Sequence, residues 1–309
     1  MPRGRSAPDF GYDEAVQLDP SSDLADCIEQ LRLNIHERIR IVDALIAASL
    51  GPPIGSVREE TESVPALVSQ VLPMLLQAMG SSSNTLLKLS DPPGLQTRDC
   101  FSISRSIVEL AVNICYIVAK GPEAAERALR HARQKSVRDL TRESNIGAQR
   151  IKLGFAAAFD ASSVPGLEEE LNEFVSRTGR EKGWVDENID QRIEVAGQLS
   201  STVLSGLHFA RVMIYRHSSE VLHGTLFGTN YSFGLTQPVG APASPSDLVG
   251  FLGGQMMMIL MAVNLAHQAV TEAFDIRYGF KAAKKRSDEL TRALGEIRMF
   301  RNNLDAPAD

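Results

Sequence analysis

One stretch of the sequence collects side chains suited to acid–base and phosphate chemistry. It runs from Tyr215 to His223 and holds two histidines, an arginine, a tyrosine and two serines. Tyr215, Ser219 and His223 are spaced four residues apart, so a helix would place them in a stripe along one face. Arg216 and His223 are seven residues apart, about two helical turns, and also share a side.

An enzymatic interpretation assigns each of these groups a role. His223 would act as general acid or base, because an imidazole titrates near neutral pH. Arg216 would hold a phosphate through its planar fork, and Ser219 or Tyr215 would orient the substrate or the imidazole. Such a set can cleave RNA without a metal, since the ribose 2′-OH supplies the nucleophile.

Two other interpretations stay open. A metal site would use His217, Glu220 and His223, but this spacing misses the i, i+4 pair that one helix face presents best. No second ligand cluster is evident, so we predict neither a metal nor a cofactor. The remaining interpretation is a buried polar network that locks the helix to its neighbours, because buried polar groups need partners. The protein would then be a non-catalytic binding or scaffold module.

A second polar pair, Arg105 and Glu109, lies in an otherwise apolar stretch. An i, i+4 Arg/Glu pair is usually a solvated surface bridge. The residues that follow, 111–118, are nearly all apolar, which favours a pair that points inward. A buried pair would need further partners, and the face that carries Tyr215, Ser219 and His223 is the obvious candidate.

Five polar positions in the two stretches, with a tryptophan ahead of the second, resemble a bacterial and archaeal domain family of unknown function. These positions are Arg105, Glu109, Tyr215, Ser219 and His223, with Trp184. The resemblance covers roughly residues 75 to 275. It implies an all-helical fold and brings no established activity.

A more distant resemblance is to the HEPN ribonucleases. These carry an Arg, a polar residue, four or five further positions and a His late in a helix, and Arg216-His217 followed by five residues and His223 fits that formula. The resemblance implies that Arg216 and His223 are catalytic, with His217 as the polar neighbour. It also implies a site formed across a homodimer, and a ribonuclease of a defence or toxin kind. This chain is larger than a minimal HEPN module.

Charge is unevenly distributed along a chain whose net charge is −6. Residues 120–152 are basic, and five of their cationic or imidazole side chains follow helical spacing: Arg127, His131, Lys135, Arg138 and Arg142. Such a face could contact RNA phosphates. A solvated amphipathic face explains the spacing as well, and this stretch offers no aromatic side chains for base stacking.

The elements that must position these residues are helices. Apolar residues recur every three to four positions, and aromatic residues make up only 6% of a chain that is 43% hydrophobic. We therefore predict an all-α, single-domain bundle over residues 21–303, with a flexible arm at 1–20 and a polar tail at 304–309. The predicted helices span about 21–50, 62–89, 96–120, 123–159, 166–178, 189–195, 199–223, 247–274 and 281–301.

A long Gly/Pro-rich loop is predicted from Gly224 to Ser246. Its aromatic residues, Phe227, Tyr231 and Phe233, follow His223 closely. They suit a lid that contacts the substrate, and equally a surface loop that is anchored by its three aromatic side chains.

Compartment and membrane contact follow from composition. The polar, proline-bearing N-terminus has no apolar core of signal-peptide length, and three cysteines lie far apart, so we expect reduced thiols in the cytoplasm. The uncharged stretch 248–271 is long enough to cross a bilayer. Its Gln255, Asn264 and His267 favour a buried core helix instead.

Overall fold

The computed structural model describes residues 22–50, 64–139, 141–154, 172–179, 181–236 and 240–296, with the single residues 166 and 169. The predicted arm at 1–20 and the predicted tail at 304–309 lie outside the described residues.

The described chain is an α-helical bundle with one small β-hairpin, which confirms the all-α prediction. Its elements are α1 (Ser22–Leu50), α2 (Ala66–Leu89), α3 (Thr97–Lys120), α4 (Pro122–Asp139), β1 (Thr141–Ile146), β2 (Gln149–Gly154), α5 (Ile189–Gly197), α6 (Ser201–Leu222), α7 (Leu226–Ser232), α8 (Pro245–Tyr278) and α9 (Lys281–Gly295).

Helix α8 is the centre of the bundle and packs against α1, α3, α6 and α9. Its start is defined by a capping box, in which Ser244 Oγ accepts from the Asp247 N–H at 3.1 Å and Asp247 Oδ2 accepts from the Ser244 N–H at 3.0 Å. It ends at Gly279, whose φ of 69° is left-handed and suits glycine. Because both ends are capped, α8 extends a few residues beyond the uncharged stretch 248–271 on each side.

Helices α3 and α8 are long and apolar enough to cross a membrane by length and composition. In the bundle, 61% of the most apolar window of α3 and 56% of that of α8 are buried against other elements. Central helices of soluble bundles pass the same test. Stretch 248–271 lies inside α8, where Asn264 and His267 are buried.

A buried arginine ties α1, α8 and α9 together. Arg38 is only 1% exposed, and its guanidinium donates to four neutral oxygens: Asn34 Oδ1 (2.8 Å), Asn264 Oδ1 (3.1 Å), Ser287 Oγ (2.9 Å) and Thr291 Oγ1 (2.9 Å). Burial lowers the pKa of Arg38 to about 10, so it keeps its charge at neutral pH. Its hydrogen bonds specify how α9 docks.

The prediction of one helix from 123 to 159 is wrong. Helix α4 ends at Asp139, and β1 and β2 pair antiparallel with Thr141 opposite Gly154 and Ile146 opposite Gln149. The connection between the strands is only two residues long, and Gly147 takes a φ of 61° there, which glycine adopts without steric cost. Arg142 therefore lies on β1, off the helix that carries Arg127 and Lys135.

Three smaller differences concern helix ends. Val175 forms an isolated bridge with Glu181, so the helix predicted to reach 178 stops earlier. The last helix ends at Gly295 rather than near 301. The predicted loop 224–246 contains α7, because Thr225 Oγ1 caps it by accepting from the Gly228 N–H at 3.0 Å.

Candidate functional site

Helices α3 and α6 bring three of the predicted polar residues into contact. Tyr215 OH donates to Glu109 Oε1 at 2.7 Å, and Arg105 Nε donates to the same oxygen at 3.0 Å. The Arg105 guanidinium carbon lies 4.2 Å from the centre of the Tyr215 ring, within cation–π range. We call Arg105, Glu109 and Tyr215 the polar cluster.

The polar cluster is reachable by water. The side chains of Arg105 and Glu109 are 22% and 39% exposed. Burial, and then the hydrogen bond and charge of Glu109, raise the pKa of Tyr215 above its ordinary value, so its hydroxyl stays protonated and donates. Burial acts to lower the pKa of Arg105, but the bond to Glu109 and the neighbouring Tyr215 leave it raised. The cluster is thus an ion pair completed by a phenol.

Two further arginines lie beside the polar cluster and were not predicted from the sequence. Arg211 lies with its guanidinium carbon 5.6 Å from the Tyr215 ring centre and donates to Asp190 Oδ2 at 2.6 Å. Arg192 on α5 donates to Asn113 Oδ1, and burial lowers its pKa. The i, i+4 spacing of Arg211 and Tyr215 was a usable signal, whereas nothing in the sequence brings α5 to this place.

Ser219 and His223 do not join the polar cluster. His223 is the exposed residue that ends α6, and its Cα lies about 12 Å along the helix axis from Tyr215. Among the described residues, neither side chain hydrogen-bonds to Arg105 or Glu109. The predicted stripe is therefore divided between Tyr215, which bonds Glu109, and two residues that do not.

The division follows from where Glu109 lies along α6. Helices α3 and α6 pack against each other, with Phe101 6.1 Å from His217 between ring centres and Glu109 bonded to Tyr215. His223 lies two helical turns beyond Tyr215, too far along α6 to reach the same carboxylate.

Arg216 and His223 share the solvent side of α6. Both are exposed, and neither side chain has a hydrogen-bond or ion-pair partner among the described residues. Phe209 and Val212 follow the same helical spacing and are 54% and 69% exposed. We call Phe209, Val212, Arg216 and His223 the outer face of α6.

His217 belongs to a ring stack rather than to the outer face. Its imidazole is parallel to the Tyr231 ring, with centres 4.1 Å apart and planes 6° apart. Burial, and secondarily the charge of Arg216, lower the pKa of His217, so the ring is neutral at physiological pH. Its Nδ1 is buried and has no partner in the described part of the chain. The contacts of His217 hold α7 against α6.

The basic residues of α4 are engaged with a neighbouring segment. Arg127 Nε donates to the Trp184 carbonyl at 2.5 Å, and its Nη1 lies 3.4 Å from Glu173. Lys135 is ion-paired with Glu181. Arg138 lies on α4 and Arg142 on β1, so the five residues expected on one helix face are split between two elements. The side chains of Arg138 and Arg142 lie outside the described part.

The residues that the structure describes contain no cluster of three or more His, Cys, Asp or Glu side chains arranged to hold a metal ion. His217 and His223 lie apart, one in the ring stack and one in solvent.

A family model described as a family of unknown function (DUF5677) matches residues 80–238, just over half of the chain. The chain belongs to this family. The DUF5677 match begins in α2 and takes in α3 to α7, so it includes the polar cluster, Arg216 and His223. Searches of curated proteins and of solved structures found no significant match. The likeness to HEPN ribonucleases therefore depends on Arg216, His217 and His223 alone.

Proposed function

We propose that this protein is a metal-independent, HEPN-like ribonuclease of a defence or toxin kind, with Arg216 and His223 as its catalytic residues. The observation that supports this is their shared exposure on the outer face of α6, without partners among the described residues. Two turns of helix separate them by about 10 Å. An exposed guanidinium and an exposed imidazole at that spacing can reach one phosphodiester and its neighbouring ribose.

The reaction needs only proton transfer and charge stabilisation. The ribose 2′-oxygen attacks the adjacent phosphorus while an imidazole takes the 2′-OH proton. The bond from phosphorus to the 5′-oxygen breaks, and a protonated imidazole gives that oxygen its proton. Arg216 stabilises the charge on the phosphoryl oxygens. The products are a 2′,3′-cyclic phosphate and a 5′-hydroxyl.

A homodimer would supply the second imidazole, because each Arg216–His223 pair contains only one. Phe209 and Val212 give the outer face the exposed apolar surface that a contact between two copies would bury. In a two-fold dimer the same face meets itself, which brings both pairs to one place. RNA is the proposed partner, and the cytoplasm is the proposed compartment. The buried, free Cys27, Cys100 and Cys115 are compatible with that compartment.

The test is RNA cleavage in the presence of a chelator. Wild-type protein should cut single-stranded RNA in EDTA and leave cyclic phosphate ends. His223→Ala and Arg216→Ala should each lower the rate by about 100-fold or more with an unchanged circular dichroism spectrum. His36→Ala, which replaces an exposed histidine on α1, is the matched control and should cut at the wild-type rate. Cleavage by His223→Ala at the wild-type rate would overturn the assignment.

The polar cluster favours a second candidate, a non-catalytic helical module. Its bonds join α3 to α6 and are complete without His223. In that case no RNA is cut, Glu109→Ala lowers the melting temperature, and His223→Ala leaves both stability and partner binding unchanged. RNA cleavage by wild type that is lost in His223→Ala supports the ribonuclease, and the absence of cleavage by wild type supports the module.

A further inference from the structure

Three rings form a row that ends at the surface of α7. His217 is stacked on Tyr231 at 4.1 Å, and Tyr231 is stacked on Phe227 with centres 6.4 Å apart and planes 21° apart. His217 and Tyr231 are partly buried, whereas Phe227 is 45% exposed. We call His217, Tyr231 and Phe227 the ring stack. Its outer member faces solvent on part of its surface.

The ring stack is held in place by the short turn between α6 and α7. Thr225 Oγ1 donates to Glu220 Oε2 at 2.7 Å. A Cβ on Gly228 would lie 2.5 Å from the Glu220 carbonyl oxygen, so only glycine allows the backbones to approach this closely. Gln255 Nε2 on α8 donates to the Tyr231 carbonyl at 3.3 Å. The outer ring is thus positioned before any ligand arrives.

The outer ring and the proposed catalytic pair lie on successive helices. Phe227 follows His223 by four residues in the chain, and the neighbouring Gly228 packs against the backbone of Glu220 in the last turns of α6. Arg216 is adjacent in sequence to the inner ring of the stack and points to solvent. The exposed ring of Phe227 is thus linked to His217 through the ring stack, and the exposed guanidinium of Arg216 is linked to it through the chain. This pairing suits a ligand that has both a flat ring and a negative charge.

We infer that Phe227 is a stacking platform for an unpaired nucleobase, and that the substrate of the proposed reaction is single-stranded RNA. The inference rests on the proposed function. The base extends the ring stack while its phosphate meets Arg216. Every nucleobase has a flat face, so this contact confers preference for unpaired strands rather than for a sequence. Bases inside an RNA duplex are already stacked and cannot reach Phe227.

The experiment measures binding without cleavage. The probe is a short single-stranded 2′-O-methyl RNA that carries 2-aminopurine, which cannot be cut because its 2′-oxygen is blocked. Binding to wild-type protein should quench the 2-aminopurine fluorescence. Phe227→Ala should weaken binding by about 10-fold or more and abolish the quenching. Phe227→Trp should retain both. Leu226→Ala is the matched control, because Leu226 is the adjacent residue and is 76% exposed but has no ring.

Each result is decisive for one of the two proposals. Equal binding by Phe227→Ala and wild type would overturn the platform, as would an equal loss in Leu226→Ala. A shift from dimer to monomer in Phe227→Ala would also overturn it, since Phe227 would then contact a second copy. Weakened probe binding in Phe227→Ala, with no RNA cleavage by wild type, would keep the platform and reject the ribonuclease. Cleavage by wild type with unchanged probe binding would do the reverse.

Discussion

His267 lies at the centre of the bundle on α8 and is 1% exposed. Its Nε2 is 2.9 Å from Ser83 Oγ on α2, and the Ser83 hydroxyl itself donates to the Met79 carbonyl at 2.8 Å. The imidazole must therefore donate from Nε2, which leaves Nδ1 as a buried acceptor without a partner among the described residues. Burial, and then the charge of Arg38, lower the pKa of His267 from 6.5 to about 3.

This pKa makes stability depend on pH in a defined window. In the unfolded chain the imidazole gains a proton below pH 6.5, whereas in the folded chain it stays neutral down to about pH 3. Above pH 6.5 neither state is protonated, so His267 adds no pH dependence there. Between those values the free energy of unfolding falls by about 1.4 kcal/mol for each unit that the pH drops. From about pH 7.5 to about pH 5 the loss is about 2 kcal/mol.

Replacing His267 with a side chain that does not titrate should remove this term. Urea denaturation, followed by the helical circular dichroism signal, gives the free energy of unfolding of wild type and of His267→Gln at both pH values. The variant should be less stable at the higher pH, and its deficit should shrink by about 2 kcal/mol at the lower pH. His267→Leu should differ from His267→Gln in its loss of stability at the higher pH. That loss should nevertheless decrease by the same amount at the lower pH, because the pH-dependent contribution comes from the imidazole of the wild-type protein. A deficit that does not change with pH would refute the reasoning.

Four further variants test individual positions, each by the free energy of unfolding measured in urea. Tyr215→Phe should lower the free energy of unfolding by about 1 kcal/mol, since it removes a charge-assisted bond at a partly exposed site, and an unchanged value would show that water replaces that bond. Gly228→Ala should lower it by about 1–3 kcal/mol through the backbone clash described above. Gly254→Ala, where an added Cβ meets nothing within 4 Å, should raise the free energy of unfolding by about 0.5–1 kcal/mol. A change in the same direction for both glycine variants would contradict the clash. Arg38→Lys should lower the free energy of unfolding by at least about 2 kcal/mol, because an ammonium group cannot reach all four oxygens. A smaller loss would show that the planar guanidinium is not needed at this site.

Helix positions were largely predictable because apolar spacing and end signals are local. The prediction for α3 began one residue early, and α8 was found to extend beyond its uncharged core to Pro245 and Tyr278. The hairpin was missed for a physical reason. Residues 145–151, the part of the hairpin whose side chains the structure describes, are all exposed, with Ile146 and Ile151 at 61% and 41%, so this part has no buried face that a sequence pattern could mark.

The candidate site was partly predictable for the same reason. The i, i+4 spacing of Arg105 and Glu109 in an apolar stretch pointed to a pair that needed a further partner, although the two side chains are 22% and 39% exposed rather than buried. The structure supplies that partner in Tyr215. Sequence spacing also grouped Ser219 and His223 with Tyr215, and it cannot tell which residue of that stripe will lie opposite Glu109.

What the amino-acid sequence determines here is local. It sets the helices, their caps and the side chains that share a face of α6, because each depends on residues within a few positions of one another. Only the tertiary structure decides that Tyr215 meets Glu109 while His223 faces solvent, and that His217 stacks on Tyr231. Those outcomes depend on how α3 and α7 pack against α6, which is set by contacts between residues far apart in the chain.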